Sequence, residues 1–73
     1  MRSLIERGQR FRDAYPGIFG RSRSEWIVEN LHIGTDGAEY ARLVSAFDPS
    51  MRKTLSVAVL SDRRRFERIS GAP

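Results

Sequence analysis

The feature that most constrains this chain is the run from Leu55 to Leu60, apolar on most sides, followed within three residues by Arg63, Arg64 and Arg65. A segment apolar nearly all round belongs in a core, and a triple arginine belongs in water, so the chain must turn from interior to surface there. Upstream, Asp48 can cap a helix with Pro49 in its first turn, since Pro there forfeits no hydrogen bond and already has a helical φ. Leu55, Val59, Phe66 and Ile69 then follow at intervals of four, seven and three, which stack along one helix face. The same run, Thr54 to Leu60, also alternates and is rich in β-branched residues, so a strand over 54–60 is the alternative. A lone strand needs a partner, and the rest of the chain reads better as helix.

Residues 2–14 read as a first helix, with Ser3 as N-cap, Glu6 completing a capping box, and Leu4, Gly8, Phe11 and Tyr15 along one side. Gly8 weakens it by about 1 kcal/mol relative to Ala. Tyr15-Pro16-Gly17 ends it, because a residue before Pro avoids the α region. Ile18 and Phe19 follow in a loop and are expected to fold back onto the core. Ser22 with Glu25 forms a second capping box for a helix through about Ile33, offering Trp26, Ile27 and Leu31 to the interior. Gly34 suits a left-handed cap, and Thr35 or Asp36 starts a third helix to about Phe47, with Tyr40, Leu43, Val44 and Phe47 as its apolar stripe. The expected fold is therefore all-α, a single domain over 1–70 of three to four short helices with a disordered tail at 71–73. A chain of 73 residues buries only roughly 60% of its unfolded surface, so a homodimer or a partner would help it.

Charge is distributed in blocks. Residues 1–23 carry six arginines against Glu6 and Asp13; residues 24–48 carry Arg42 against Glu25, Glu29, Asp36, Glu39 and Asp48; residues 49–73 carry six cations against Asp62 and Glu67. The chain is basic, acidic, basic. Twelve of its 13 cations are Arg, whose planar fork of donors suits bidentate binding of phosphate or carboxylate, although codon bias toward Arg accounts for the count equally well. There is no cysteine, which removes disulfides and thiolate metal sites. No apolar stretch reaches the ~20 residues that cross a bilayer, and the N-terminus lacks a signal-peptide core, so a cytoplasmic protein without a membrane partner is the expectation.

The segment Gly20 to Leu31, GRSRSEWIVENL, resembles the turn and second helix of ribbon-helix-helix DNA-binding proteins. That resemblance implies an N-terminal strand in the DNA major groove and a first helix before the motif. Here no short alternating strand precedes it and Pro16-Gly17 falls where the first helix would run, while the capping box alone explains Ser22 and Glu25. A helix-turn-helix of Ser24 to Ile33, Gly34-Thr35-Asp36 and Gly37 to Phe47 has the right turn but the wrong charge, since its reading helix would bring Asp36 and Glu39 to phosphate. It reads instead as a structural helical hairpin.

The functional candidates are basic. Arg63, Arg64, Arg65 and Arg68, with Arg52 and Lys53 upstream, form one expected nucleic-acid or partner-binding set, Arg64 and Arg68 sharing a helix face; Arg21 and Arg23 form a second patch. Cations near a helix C-terminus also meet the helix dipole and need no partner. Arg7, Arg10, Arg12, Arg21 and Arg23 interleave with Phe11, Tyr15 and Phe19, a pattern that grips single-stranded nucleic acid, although aromatics at that spacing more often pack inside. For catalysis His32 stands alone, Glu25 and Glu29 lack further ligands, and Gly17 to Ser22 lacks the ending of a phosphate loop, so no enzyme, metal or cofactor is expected. The expected function is a small basic regulator in the nucleic-acid or transcription machinery of a bacterium, phage or plasmid. The alternative is a protein-interaction module, such as a phage-type inhibitor docking on an acidic surface of a host enzyme, for example RNA polymerase.

Overall fold

The computed structural model describes residues 5–14 and 24–70, and it is a β-structure rather than a helical one. Its elements are β1 (Arg10–Asp13), β2 (Glu25–Ile33), β3 (Glu39–Ser45), β4 (Arg52–Ser56), the single-turn helix α1 (Val57–Leu60) and β5 (Phe66–Ser70). The five strands form one antiparallel sheet in the order β4-β3-β2-β1-β5, curled into a half-barrel whose last strand returns beside the first. α1 packs against β3 and β4, and Leu60 enters the core with Ile5, Phe11, Trp26, Val28, Ala41, Leu43 and Phe66.

The expected helices are overturned: the described part of the first, residues 5–14, holds no helix and contains β1, and in β2 and β3 a period-two pattern was disguised by local features. In β2, Trp26 and Val28 face inward, and a bulge between Val28 and Asn30 inserts Glu29, so that Leu31 is the next residue to pack inward. A bulge adds one residue to one strand of a pair and turns a spacing of two into three, which imitates helical spacing. β3 buries Ala41, Leu43 and Ser45, while Tyr40 and Val44 stand on the opposite face and Phe47 is 65% exposed. The stripe Tyr40, Leu43, Val44, Phe47 therefore does not exist as one face. The helical hairpin of residues 24–47 is a β-hairpin, which also removes both DNA-reading helices suggested for this region, the helix-turn-helix and the second helix of the ribbon-helix-helix resemblance. Ser22, Tyr15-Pro16-Gly17, Ile18, Phe19 and the 71–73 tail lie outside the described residues.

The turn residues are the ones used as helix caps in the sequence reading, and their chemistry suits both roles. Gly34-Thr35-Asp36-Gly37 closes the β2–β3 hairpin: the Gly34 amide donates to the Ala38 carbonyl at 2.7 Å, and Gly37 has φ 83°, where a side chain is strained. Asp36 accepts from the Ala38 amide at 3.0 Å and from the Tyr40 hydroxyl at 2.6 Å. The Tyr40 hydrogen bond first, then the Ala38 amide, hold the Asp36 carboxyl below the usual carboxylate range, and the same contact raises the Tyr40 phenol. Tyr40 also stacks on His32, with ring centroids 5.7 Å apart. Asp48-Pro49 opens a turn rather than a helix: the Met51 amide donates to the Asp48 carbonyl at 2.9 Å, and the Asp48 carboxylate accepts from the Ser50 amide at 3.1 Å. Asp at the first position and Pro at the second is the signature of such a turn.

The long fourth helix divides into three pieces. β4 runs from Arg52 to Ser56, earlier than the alternation at 54–60 suggested, and Ser56 then caps α1 by accepting the Val59 amide at 3.2 Å. Phe66 is buried and Ile69 is 39% exposed, so the two do not share a face.

Candidate nucleic-acid interface

The arginine run sits in the turn that carries the chain from α1 to β5, and one aspartate builds that turn. The Asp62 carbonyl accepts the amides of Arg65 at 2.9 Å and Phe66 at 3.0 Å, and its carboxylate accepts the Arg64 amide at 3.0 Å. The Arg65 carbonyl is fixed in turn by the Ala14 amide at 2.8 Å, which ties the turn to the end of β1. The backbone is thus held while the side chains are free in water: Arg64 is 88% and Arg65 67% exposed. The Asp62 carboxylate is held below its ordinary range, first by the Arg64 amide and then by the Arg64 and Arg65 guanidinium groups, against the opposing effect of desolvation.

Phe66 follows directly and separates two hollows. One, of about 460 Å³, has a floor of Ile5, Phe11, Leu60 and Phe66, with Ser61, Arg63, Glu67 and Arg68 around it. The other, of about 410 Å³, lies over Leu55, Val59 and Phe66 with Lys53, Arg64, Arg65 and Asp13 as its charged lining. The six cations of the expected set therefore do not form one helix face. Arg63, Arg64, Arg65, Arg68 and Lys53 gather around Phe66, whereas Arg52 stands apart and pairs with Glu29 at 3.3 Å. Arg64 and Arg68 do not share a helix face, because one is in a turn and the other in a strand. Arg21 and Arg23 lie outside the described residues.

Lys53 has a placement that the sequence did not indicate. It occupies the β4 position opposite Leu43, on the inner side of the sheet, and its ammonium lies 4.1 Å from the centre of the Trp26 ring and 5.4 Å from that of Phe66. A cation over an aromatic face is attracted by the ring quadrupole, which holds the Lys53 ammonium at the edge of the core. Beneath it the Trp26 indole Nε1 is buried with no hydrogen-bond partner among the described residues. A lysine alternating with leucine in β4 was the available signal, since Lys53 and Leu55 share one side.

The acidic segment at 24–48 does not cover this cluster. Glu25 pairs with Arg10 at 3.0 Å, Glu29 with Arg52, Asp36 with the Tyr40 hydroxyl, and Asp48 with the Ser50 hydroxyl at 2.7 Å. Among the described residues, no ion pair joins that segment to Arg63, Arg64, Arg65 or Arg68, and the carboxylate that touches the run is its own Asp62. Arg12, on the outer face, pairs with Glu67 at 2.9 Å. No cluster of three or more potential metal ligands occurs among the described residues, and none of their helices is long and apolar enough to cross a membrane. Comparison with protein-family models, with curated proteins and with solved structures returned no match.

Proposed function

We propose that this chain is a non-catalytic, cytoplasmic regulator that binds nucleic acid through its phosphates, using Arg63, Arg64, Arg65 and Arg68, with Lys53 contributing from the neighbouring hollow. One observation carries the reading. Four arginines are presented by a braced turn and the strand after it, two of them, Arg64 and Arg65, paired with Asp62, while Glu25 and Glu29 of the acidic block are engaged by Arg10 and Arg52. Arginine presents forked donors to phosphate, and a braced turn loses little order when it binds. Arg52 is not part of this set, because Glu29 already neutralises it.

Salt titration of binding to a DNA duplex tests the reading. Four phosphate contacts give a slope of log affinity against log salt of roughly −3 to −4. Replacing Arg63, Arg64 and Arg65 by Ala reduces that slope by about three. Absence of binding to duplex and single strand alike at low salt, or a slope indifferent to the triple substitution, rules it out.

The second reading, a module docking on a host protein, has its own observation. Phe47 and Met51, 65% and 53% exposed, stand on the β3–β4 turn in water. Exposed large apolar side chains of this kind serve protein contacts more readily than phosphate contacts. Retention of a single protein from a nuclease-treated lysate, lost on replacing Phe47 and Met51 by Ser, would favour it.

A further inference from the structure

We infer that the 460 Å³ hollow beside the arginine turn receives one unstacked base, so that the nucleic acid bound is single-stranded. The inference rests on the phosphate-binding reading above and names its substrate class. Four observations converge on it.

The first is shape and lining. The hollow falls within the roughly 300–1,000 Å³ range of cavities that enclose small organic groups, and its floor is apolar, with two aromatic rings, Phe11 and Phe66. A flat, largely apolar body suits that floor, where Phe66, 9% exposed, offers more of its ring than Phe11 at 3%. The second is charge. Arg63 and Arg68 border the hollow, and neither has an ion-pair partner among the described residues, whereas Arg64 and Arg65 on the other side of Phe66 are held by Asp62. Free guanidinium groups beside an apolar floor match a ligand that joins an apolar ring to an anion, which is what a nucleotide is. The third is the acid at the rim. Glu67 lines the hollow but its carboxylate is paired with Arg12 at 2.9 Å, so its charge does not oppose phosphate unscreened. The fourth is position: Arg63 in the turn before Phe66 and Arg68 in the strand after it both line the hollow, so two separate elements bring cations to it.

Duplex bases are stacked and paired, and entry into the hollow requires one to be extruded at a cost that a single strand does not carry. The apolar floor has little with which to read base edges, so selectivity is for strandedness more than for sequence.

The test compares a fluorescently labelled short oligothymidylate with a duplex of the same length, by anisotropy at the same low salt. The single strand is expected to bind roughly tenfold or more tightly, as stacking of one base supplies. Ser61→Trp places an indole in the hollow from an exposed position just after α1 and brings single-strand affinity down to that of the duplex. Arg68→Ala, an exposed substitution, narrows the same margin, and a thermal melt of each variant shows that the fold is kept. Equal or tighter duplex binding that still depends on Arg63, Arg64 and Arg65 overturns the base site alone. A single-strand margin that survives Ser61→Trp in a folded protein also overturns it. Failure of both oligonucleotides to bind overturns the phosphate reading and this inference together.

Discussion

The β2–β3 hairpin and the segment from α1 through β5 settle their polar groups in opposite ways. In the hairpin, nine- and seven-residue strands are closed by a turn whose aspartate is satisfied by an amide and a phenol, and Glu25 and Glu29 find Arg10 and Arg52 on the strands beside it. In the α1–β5 segment the backbone is equally well braced, yet four guanidinium groups face water, of which Arg64 and Arg65 have Asp62 as ion-pair partner and Arg63 and Arg68 have none among the described residues. Structural polar groups in a small domain tend to be consumed internally, because an unsatisfied buried group costs more than a made bond gains. Charge left over on a rigid turn is therefore the part of this molecule that is available to something else.

The contrast can be broken from either side. Leu43 is fully buried where β3 meets both neighbours, so Leu43→Ala is expected to cost about 2–5 kcal/mol by urea denaturation, enough to unfold most of so small a domain. Gly37→Ala forces a side chain into the left-handed region at φ 83° and is expected to cost about 1–2 kcal/mol in the same assay. The Arg63, Arg64, Arg65→Ala triple variant, by contrast, is expected to change stability by no more than about 0.5 kcal/mol, because it alters exposed side chains and leaves the Asp62 backbone contacts in place. A large loss of stability there would mean that the arginines are structural and the comparison is false. Arg12→Ala, which breaks a half-exposed pair with Glu67, is expected to cost under about 1 kcal/mol, and less in high salt.

The smallest expected effect is a pH dependence that the hairpin reports through Asp36 and Tyr40. Asp36 has a lowered folded-state pKa, so its contribution is present above the ordinary aspartate range and lost as pH falls through the lowered value. Tyr40 is raised, so its contribution is present below the ordinary phenol range and lost as pH rises through the raised value. The hydrogen bond between them is therefore intact from about pH 4 to about pH 10. The Tyr40 ring shifts should show one transition at the acid end and one at the alkaline end, and Asp36→Asn should abolish the acid one.

The sequence showed where the chain turns better than it showed what lies between the turns. Gly34 to Asp36 and Asp48-Pro49 are punctuation in either reading, since Gly, Pro and Asp cap helices and build hairpins by the same local hydrogen bonds, whereas the turn at Ser61-Asp62 lay inside the expected fourth helix. What lay between was misread as helix for specific reasons. The Glu29 bulge changed the inward spacing of β2, small or polar Ala41 and Ser45 hid two of three buried positions in β3, and the apolar run at 55–60 is a strand end followed by one helical turn. The partner strand of β5 is β1, at the other end of the described chain, and such long-range pairing leaves no local periodicity to read. In the candidate site, the exposure of an arginine run was legible from composition. The inward turn of Lys53, the separation of Arg52 and the hollow beside Phe66 depend on sheet register and were not.

The most direct measurement is an amide chemical-shift titration of the isotopically labelled protein with a short oligonucleotide at low salt. Perturbations are predicted to concentrate at Lys53 and from Ser61 to Arg68, to fade with added salt, and to spare the β2–β3 turn. Perturbations centred on Phe47 and Met51, or none at all, would contradict the assignment of the α1–β5 segment as the binding region.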